Sequence, residues 1–170
     1  MSIVIINGTN NATSRVNAIA QHISEQAGAT IINVFDLPAA DLIGTNFASP
    51  AIQIANEKVE KADVIVLLTP VYKASFTGIL KTYVDLLPQK AFVGKTIIPI
   101  IVGGTERHQL VIDFSLKPLA AALGATNILQ GVFVHDKQIE REKSTYNIDA
   151  DVVARINDQL AAVQEPISIA

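Results

Sequence analysis

Residues 3–9 read IVIINGT, a run of β-branched aliphatic side chains that ends in a polar turn. An unbroken apolar run of this kind is typical of a strand that is covered on both faces of a sheet. Asn7, Gly8 and Thr9 end the run, and a helical pattern begins at Ser14. The stretch therefore predicts a buried strand whose carboxyl end leads through a polar loop into a helix.

The same pairing of strand and helix recurs along the chain. Apolar runs predict strands over residues 3–6, 30–34, 64–68, 96–102 and 128–134, and helical periodicity follows each of them, over residues 14–27, 51–61, 76–87, 109–123 and 149–163. This alternation predicts an α/β fold with helices on both faces of a parallel sheet. We expect one flavodoxin-like domain over residues 1–170, a three-layer sandwich with a five-stranded parallel sheet of order 2-1-3-4-5. The polar residues 137–147 predict a surface loop.

The composition excludes several kinds of function. The chain has 170 residues, with 13 Lys and Arg against 16 Asp and Glu, and it has no cysteine. A formal net charge of −3 argues against a nucleic-acid partner, which needs a basic surface. The lack of cysteine excludes disulfides, thiolate zinc sites and iron–sulfur clusters, and the three histidines lack the spacing of metal ligands. Any anionic ligand must therefore be held by local donors.

No stretch of the sequence predicts a membrane segment or a signal peptide. The longest apolar runs have the length of strands, well below the roughly 18–20 residues that a membrane span needs. The amino terminus has an apolar run without a basic region before it or a small-residue cleavage site after it. The expected location is the cytoplasm.

The first loop, residues 8–15, has the composition of a phosphate site. It leaves a buried strand and enters a helix, so that helix N–H groups point into it. It offers hydroxyl groups, amides and one guanidinium on Thr9, Asn10, Asn11, Thr13, Ser14 and Arg15. It lacks both the nucleoside-triphosphate and the dinucleotide glycine motifs. Helix capping is the alternative interpretation, although one cap needs only one hydroxyl group.

The second loop, residues 69–78, follows the third predicted strand. Pro70 stiffens its backbone, and Tyr72 places an aromatic ring among small residues. In a doubly wound sheet, ligands bind beyond the carboxyl ends of the strands, where this loop is expected. The loop would suit a flat heteroaromatic ligand. The alternative is a turn that only covers the end of the strand.

The third loop, residues 103–108, follows the fourth predicted strand. Gly103 and Gly104 would let the backbone approach a ligand closely. His108 is a candidate acid or base, and the alternative interpretation is a polar surface group, which a lone histidine in a loop more often is. No convincing catalytic side chain is found elsewhere in the chain, which favours chemistry carried by a bound cofactor.

With these loops, the sequence resembles the NADPH-dependent FMN reductase family. The matching segments are residues 69–81 (TPVYKASFTGILK), 85–88 (DLLP), 103–105 (GGT) with His108, 113–118 (DFSLKP) and 131–133 (GVF). Within the family, the sequence is most similar to the flavin reductases of two-component alkanesulfonate monooxygenase systems. The resemblance implies a flavodoxin-like fold and spans nearly the whole chain.

The resemblance also implies a reaction and a binding site. A hydride would pass from C4 of NADPH or NADH to N5 of FMN, with no catalytic side chain, and reduced FMN would leave for a monooxygenase partner. The FMN phosphate would bind to Thr9, Asn11, Ser14 and Arg15. The ribityl chain and the ring would lie against Pro70, Val71, Tyr72 and Lys73, with Gly103, Gly104 and Thr105 at the polar edge of the ring.

Two other functions stay open at this point. One is a quinone or azo-dye reductase that holds FMN tightly as a cofactor. The other is a flavodoxin-like electron carrier without enzymatic activity. Electron carriers of that kind are far more acidic and clamp FMN between aromatic rings, whereas this chain has a net charge of −3 and only 5% aromatic residues.

The sequence departs from the family pattern in two places. Asn11 stands where the family usually has arginine, which should weaken phosphate binding unless Arg15 substitutes. Phe114 stands where close relatives carry an inserted tyrosine, in a π-helical segment at a tetramer interface. Pro118 cannot donate a hydrogen bond to the carbonyl group of Phe114, so a π-bulge or kink is expected between residues 113 and 118. The helix is apolar on more than one face, which predicts a homodimer or homotetramer through helices that include Phe114.

Overall fold

One parallel sheet forms the centre of the computed structural model, which describes residues 1–142 and 145–164. Its strands are β1 (Ile3–Asn7), β2 (Thr30–Asn33), β3 (Val64–Pro70), β4 (Thr96–Gly103), β5 (Asn127–Ile128) and β6 (Val132–His135). They are ordered β2-β1-β3-β4-β5, and β6 also pairs with β4. All of these pairs are parallel. The predicted fold class and strand order are confirmed.

Helices cover both faces of the sheet. The α-helices are α1 (Val16–Ala27), α2 (Ala39–Ile43), α3 (Pro50–Lys61), α4 (Gly78–Val84), α5 (Lys117–Ala122) and α6 (Ala150–Gln164). Helices α1 and α6 pack on one core, and α2 to α5 pack on the other. Helix α2 lies in a segment that carried no helical prediction. None of the described helices combines the length and the apolar character that crossing a bilayer requires.

The central strands explain why the apolar run at residues 3–6 predicts the fold. Ile3 and Ile5 of β1 face one core, whereas Val4 and Ile6 face the other. Successive side chains of a strand point to opposite faces, so both faces must be apolar when both are covered. Strand β3 is buried along its whole length for the same reason.

The predicted fifth strand, residues 128–134, is broken into two pieces. Strand β5 pairs with the beginning of β4 and strand β6 with its end. Between them, Gly131 has a φ of 86°, and a Cβ atom on it would lie 2.5 Å from the carbonyl oxygen of Pro99. The break therefore depends on a residue without a side chain, at a point where two backbones come very close.

The predicted surface loop over residues 137–147 is wrong. A short 3₁₀ turn (Asp136–Gln138) leads into an antiparallel pair, β7 (Ile139–Glu142) and β8 (Thr145–Ile148); we call this pair the hairpin. In β8 the polar residues alternate with Tyr146 and Ile148, and Ile139 of β7 is buried in the core beneath the pair. The alternation is that of a strand pair covered on one face only.

Of the two irregularities expected between residues 113 and 118, a π-bulge or a kink, the structure has the π-bulge, and it divides the predicted helix over residues 109–123. Residues Ile112–Leu116 are π-helical, and the N–H group of Lys117 donates to the carbonyl oxygen of Ile112, five residues earlier. Pro118 has no N–H group to continue the α-helical ladder at this point, which explains the irregularity. Leu110 and Phe114 are left 58% and 76% exposed, while Val111 and Leu116 face the core of their own chain.

Candidate functional site

The carboxyl ends of β1, β3 and β4 border a cleft of about 440 Å³, which we call the strand-end cleft. It brings together predicted residues from all three loops, namely Asn11, Ser14, Arg15, Pro70, Val71, Tyr72, Gly103 and Gly104. These residues are up to 93 positions apart in the chain (104 − 11). The parallel sheet brings them together because the carboxyl ends of its strands lie at one edge.

Three predicted site residues do not line the cleft: Thr9, Lys73 and Thr105. Thr9 is only 1% exposed, and its N–H group donates to Oδ1 of Asn7 at 3.3 Å. Lys73 lies at a tight turn in which it and Ala74 both have positive φ, 51° and 59°. The backbone groups of Tyr72 and Ser75 close this turn with two hydrogen bonds, which holds the half-exposed ring of Tyr72 at the rim.

The first loop is braced from below by side-chain amides. Asn7 is fully buried at the end of β1, and its Nδ2 donates to Oδ1 of Asn17 at 2.7 Å. Asn17 in turn donates to the carbonyl oxygens of Asn11 and Ala12, at 3.1 and 2.9 Å. Two carbonyl groups of the loop are thus bound by a side chain that does not line the cleft. This bracing could not be found in the sequence, where Asn7 is simply the residue that ends a strand.

Several N–H groups of the first loop have no partner among the described residues. Those of Thr13 and Val16 donate to Oδ1 of Asn11 and to Oγ of Ser14. Those of Asn11, Ala12 and Arg15 donate to no described group. Unpaired N–H groups at a helix start attract anions. The loop can therefore donate to several oxygens of one phosphate group.

The hairpin forms a wall of the cleft that was not predicted. Arg141 and Tyr146 of the hairpin line the cleft, as do Asp136 of the preceding turn and Thr13, Val16 and Val102. The hydroxyl group of Tyr146 donates to the carbonyl oxygen of Thr13 at 2.7 Å, which fastens the hairpin to the first loop. The signal available in the sequence was a period of two, since Tyr146 and Ile148 are separated by one polar residue and Arg141 follows Ile139 at the same spacing.

Two threonines tie the first loop to the second. The hydroxyl group of Thr77 donates to the carbonyl oxygen of Gly8, and it accepts from the N–H group of Leu80 as the cap of α4. The hydroxyl oxygen of Thr69 accepts from the N–H group of Thr77. All of these groups are buried, so the separation of the two loops is set by hydrogen bonds that water does not weaken.

Position 103 needs a glycine because the side chain of His108 packs against it and because it borders the cleft. A Cβ atom at Gly103 would lie 2.7 Å from Nδ1 of His108, whereas one at Gly104 would meet nothing closer than 3.7 Å. His108 therefore packs behind Gly103, and it is not among the residues that line the cleft. The missing side chain at Gly104 keeps the edge of the cleft open.

Comparison with known proteins decides the family. A model of the NADPH-dependent FMN reductases matches residues 1–140. The chain belongs to the NADPH-dependent FMN reductase family. It is 36% identical to an FMN reductase (NADPH) of Pseudomonas putida, over all of this chain and 88% of that protein. It is also 36% identical to an FMN reductase (NADPH) of Escherichia coli K12, over 82% of this chain and 75% of that protein.

A solved structure agrees with the assignment to this reductase family. The apo form of an NADH:FMN oxidoreductase, EMOB, superposes with a TM-score of 0.80 at 27% identity, covering 99% of this chain and 91% of that one. The predictions of family, enzyme class and reactants are confirmed: the chain is an NAD(P)H-dependent FMN reductase. The donor set of the cleft suits FMN, because it combines N–H groups, hydroxyl groups and guanidinium groups with an apolar rim.

Proposed function

We propose that this reductase binds FMN in the strand-end cleft as a substrate and releases it after reduction. The phosphate would lie in the first loop, against Asn11, Ser14 and Arg15. The ring would lie against Pro70, Val71 and Tyr72, with the backbone of Gly103 and Gly104 at its polar edge. Thr9 would support the phosphate end from beneath, and Lys73 and Thr105 would approach from the rim.

The observation that carries this proposal is the arrangement of donors and apolar surface within one cleft. Unpaired N–H groups and two guanidinium groups lie at the end formed by the first loop and the hairpin. Pro70, Val71 and Tyr72 form the apolar rim contributed by β3 and the second loop. A molecule with a phosphate group at one end and a flat ring at the other matches this arrangement, with the phosphate at the donors and the ring at the apolar rim.

The residues of the chain have a positioning role in the proposed reaction. Bound FMN supplies the redox chemistry, since its ring accepts the hydride that the nicotinamide gives up. The loop residues fix the ring at one depth, and the turn at Lys73 and Ala74 holds the ring of Tyr72 beside it. Hydride transfer needs no acid or base from the protein, so the part of the chain in the reaction is to hold the two reactants in position.

Release of the flavin is supported by the sparse aromatic lining. Tyr72 and Tyr146 are the aromatic residues at the cleft, and Tyr146 is bonded to the first loop through its hydroxyl group. No further aromatic residue among the described ones lines the cleft. A flavin with few aromatic contacts can leave after reduction, and a flavin-dependent monooxygenase would use it.

Anaerobic turnover tests the proposal. The protein is mixed with NADPH or NADH and a large molar excess of FMN, and the absorbance of oxidised FMN is followed. We expect all of the FMN to be reduced over many turnovers and to pass through a filter that retains the protein. Reduction that stops at one FMN per chain would support a quinone or azo reductase with bound flavin, or an electron carrier. No oxidation of either nicotinamide would contradict a reductase.

We also propose self-association through the π-helical segment. Phe114 lies within the π-helical segment and Leu110 lies just before it, and both side chains are exposed. No residue in the described parts of the chain covers them. We expect the wild-type protein to sediment as a dimer or tetramer and Phe114→Ser to shift it toward the monomer. Ile54→Ser is a matched control, because Ile54 is 57% exposed on another helix. An equal shift with Ile54→Ser, or a monomeric wild type, would contradict this interface.

A further inference from the structure

The two guanidinium groups at the strand-end cleft, those of Arg15 and Arg141, differ in their hydrogen-bond partners. Nη1 of Arg15 donates to the carbonyl oxygen of Asp136 at 2.6 Å, a bond between residues 121 positions apart. The guanidinium of Arg141 makes no hydrogen bond or ion pair with any residue in the described parts of the chain. Arg15 is thus already used in fastening the hairpin segment to the first loop. Arg141 has all of its donors available.

The hairpin places Arg141 beside the first loop. Arg141 lies directly opposite Tyr146 in the strand pair, so the two side chains share one face of the hairpin. Tyr146 is bonded to Thr13, and both Arg141 and Tyr146 line the cleft. Glu140 and Glu142 alternate with Arg141 along β7 and point to the opposite face. Arg141 and the loop whose N–H groups are unpaired therefore line the same cleft.

The charge of the molecule makes a second cation important at this place. The chain has a net charge of −3, and Asp136 also lines the cleft. A phosphate monoester carries close to two negative charges near neutral pH. Neutral loop donors and one guanidinium that is shared with a carbonyl oxygen leave that charge incompletely balanced. Arginine is well suited to the task because its planar group donates two parallel hydrogen bonds to phosphate oxygens.

We propose that Arg141 is the residue by which this reductase selects FMN over flavins without a phosphate group. Its guanidinium pairs with the FMN phosphate from the hairpin side, opposite the N–H groups of the first loop. This inference rests on the proposed binding of FMN in the strand-end cleft. It assigns the hairpin a direct part in substrate recognition, beyond covering the end of the sheet.

Equilibrium titrations with FMN and with riboflavin test the role of Arg141 without using activity. We expect Arg141→Gln to weaken FMN binding by about tenfold or more, as for other charge-assisted hydrogen bonds, and to leave riboflavin binding unchanged. Arg141→Lys should recover part of the loss. Lys137→Gln is the matched control, since it removes the same charge from an exposed residue of the same segment that does not line the cleft.

The possible outcomes separate this inference from the proposed function. Unchanged FMN affinity in Arg141→Gln, or an equal loss for FMN and riboflavin, would overturn the selection by Arg141. The inference would also be overturned if Arg141→Gln raised the KM for NADPH but not for NADH and left FMN binding constant. Arg141 would then contact the nicotinamide nucleotide. If Lys137→Gln lowered the FMN affinity as much as Arg141→Gln does, the effect would be one of long-range charge, and selection by Arg141 would again be overturned. If the wild type bound FMN no more tightly than riboflavin, the proposed phosphate site itself would fail.

Discussion

Replacing Ser14 by aspartate is expected to lower the affinity for FMN by about a hundredfold and to leave riboflavin binding almost unchanged. The Oγ atom of Ser14 accepts from the N–H group of Val16 at the start of α1, and the side chain lines the cleft. Aspartate can accept the same hydrogen bond, and its charge is favourable at a helix start, so the fold should not be weakened. The same charge repels a phosphate group bound there, by roughly 3 kcal/mol at short range.

The matched variant for this experiment is Ser14→Asn, which has the shape of aspartate without its charge. We expect it to bind FMN within a few-fold of the wild type, and we expect urea unfolding to show equal or higher stability for both variants. Isothermal titration with each flavin gives the ratio of affinities. A loss of FMN binding that is equal in the asparagine and aspartate variants would mean that bulk, and not charge, is responsible. Unchanged FMN binding in Ser14→Asp would place the phosphate elsewhere.

Replacing Gly131 by alanine is expected to destabilise the protein by about 3 kcal/mol or more. The φ of 86° at this residue is unfavourable for any side chain, which costs roughly 1–2 kcal/mol for alanine. The new Cβ atom would also lie 2.5 Å from the carbonyl oxygen of Pro99, which belongs to the central strand β4 and cannot move freely. Urea unfolding measures the loss as a lower midpoint with an unchanged slope.

Gly28→Ala is the matched control for this stability prediction. Gly28 ends helix α1 with a φ of 64°, and a Cβ atom there would meet nothing within 4 Å. We expect it to cost only about 1 kcal/mol, the conformational part alone. Equal losses in the two variants would contradict the role given to the close approach between Gly131 and Pro99. Loss of FMN binding in Gly131→Ala at temperatures where it stays folded would be a further sign that β6 sets the position of the hairpin.

The fold could be predicted because its determinants are local. The runs at β1 and β3 are apolar on both faces, and helical periodicity follows each of them, so the layers follow from the alternation. The strand order was predicted because five strands fit the flavodoxin-like order without any left over. An irregularity in the helix around Phe114 could be predicted for the same reason, because Pro118 removes one donor at a known distance along the chain, but this missing donor is compatible with a kink as well as with a π-bulge. Gly131 interrupted a strand that looked continuous because its partner, Pro99, is far away in the sequence.

The candidate site could be predicted only in part, because its remaining contacts are long-range. The three loops at the strand ends carry most of the residues that line the cleft. Arg15 looked like a free cation, but its partner is the carbonyl oxygen of Asp136, 121 positions later. The hairpin looked like a polar loop because only one of its faces is covered. The role of Asn7 as a brace depends on Asn17 and Asn33, which lie on other elements.

The most direct measurement is a crystal structure of the protein with FMN. We expect the phosphate group within hydrogen-bond distance of Ser14 and of the N–H groups of Asn11, Ala12 and Arg15, and the flavin ring against Pro70, Val71 and Tyr72. The predicted contacts with Thr9, Lys73, Gly103, Gly104 and Thr105 are read from the same map. FMN bound outside the strand-end cleft, for example in the groove between Gln53 and Val93, or bound with its phosphate turned away from the first loop, would contradict the proposed site.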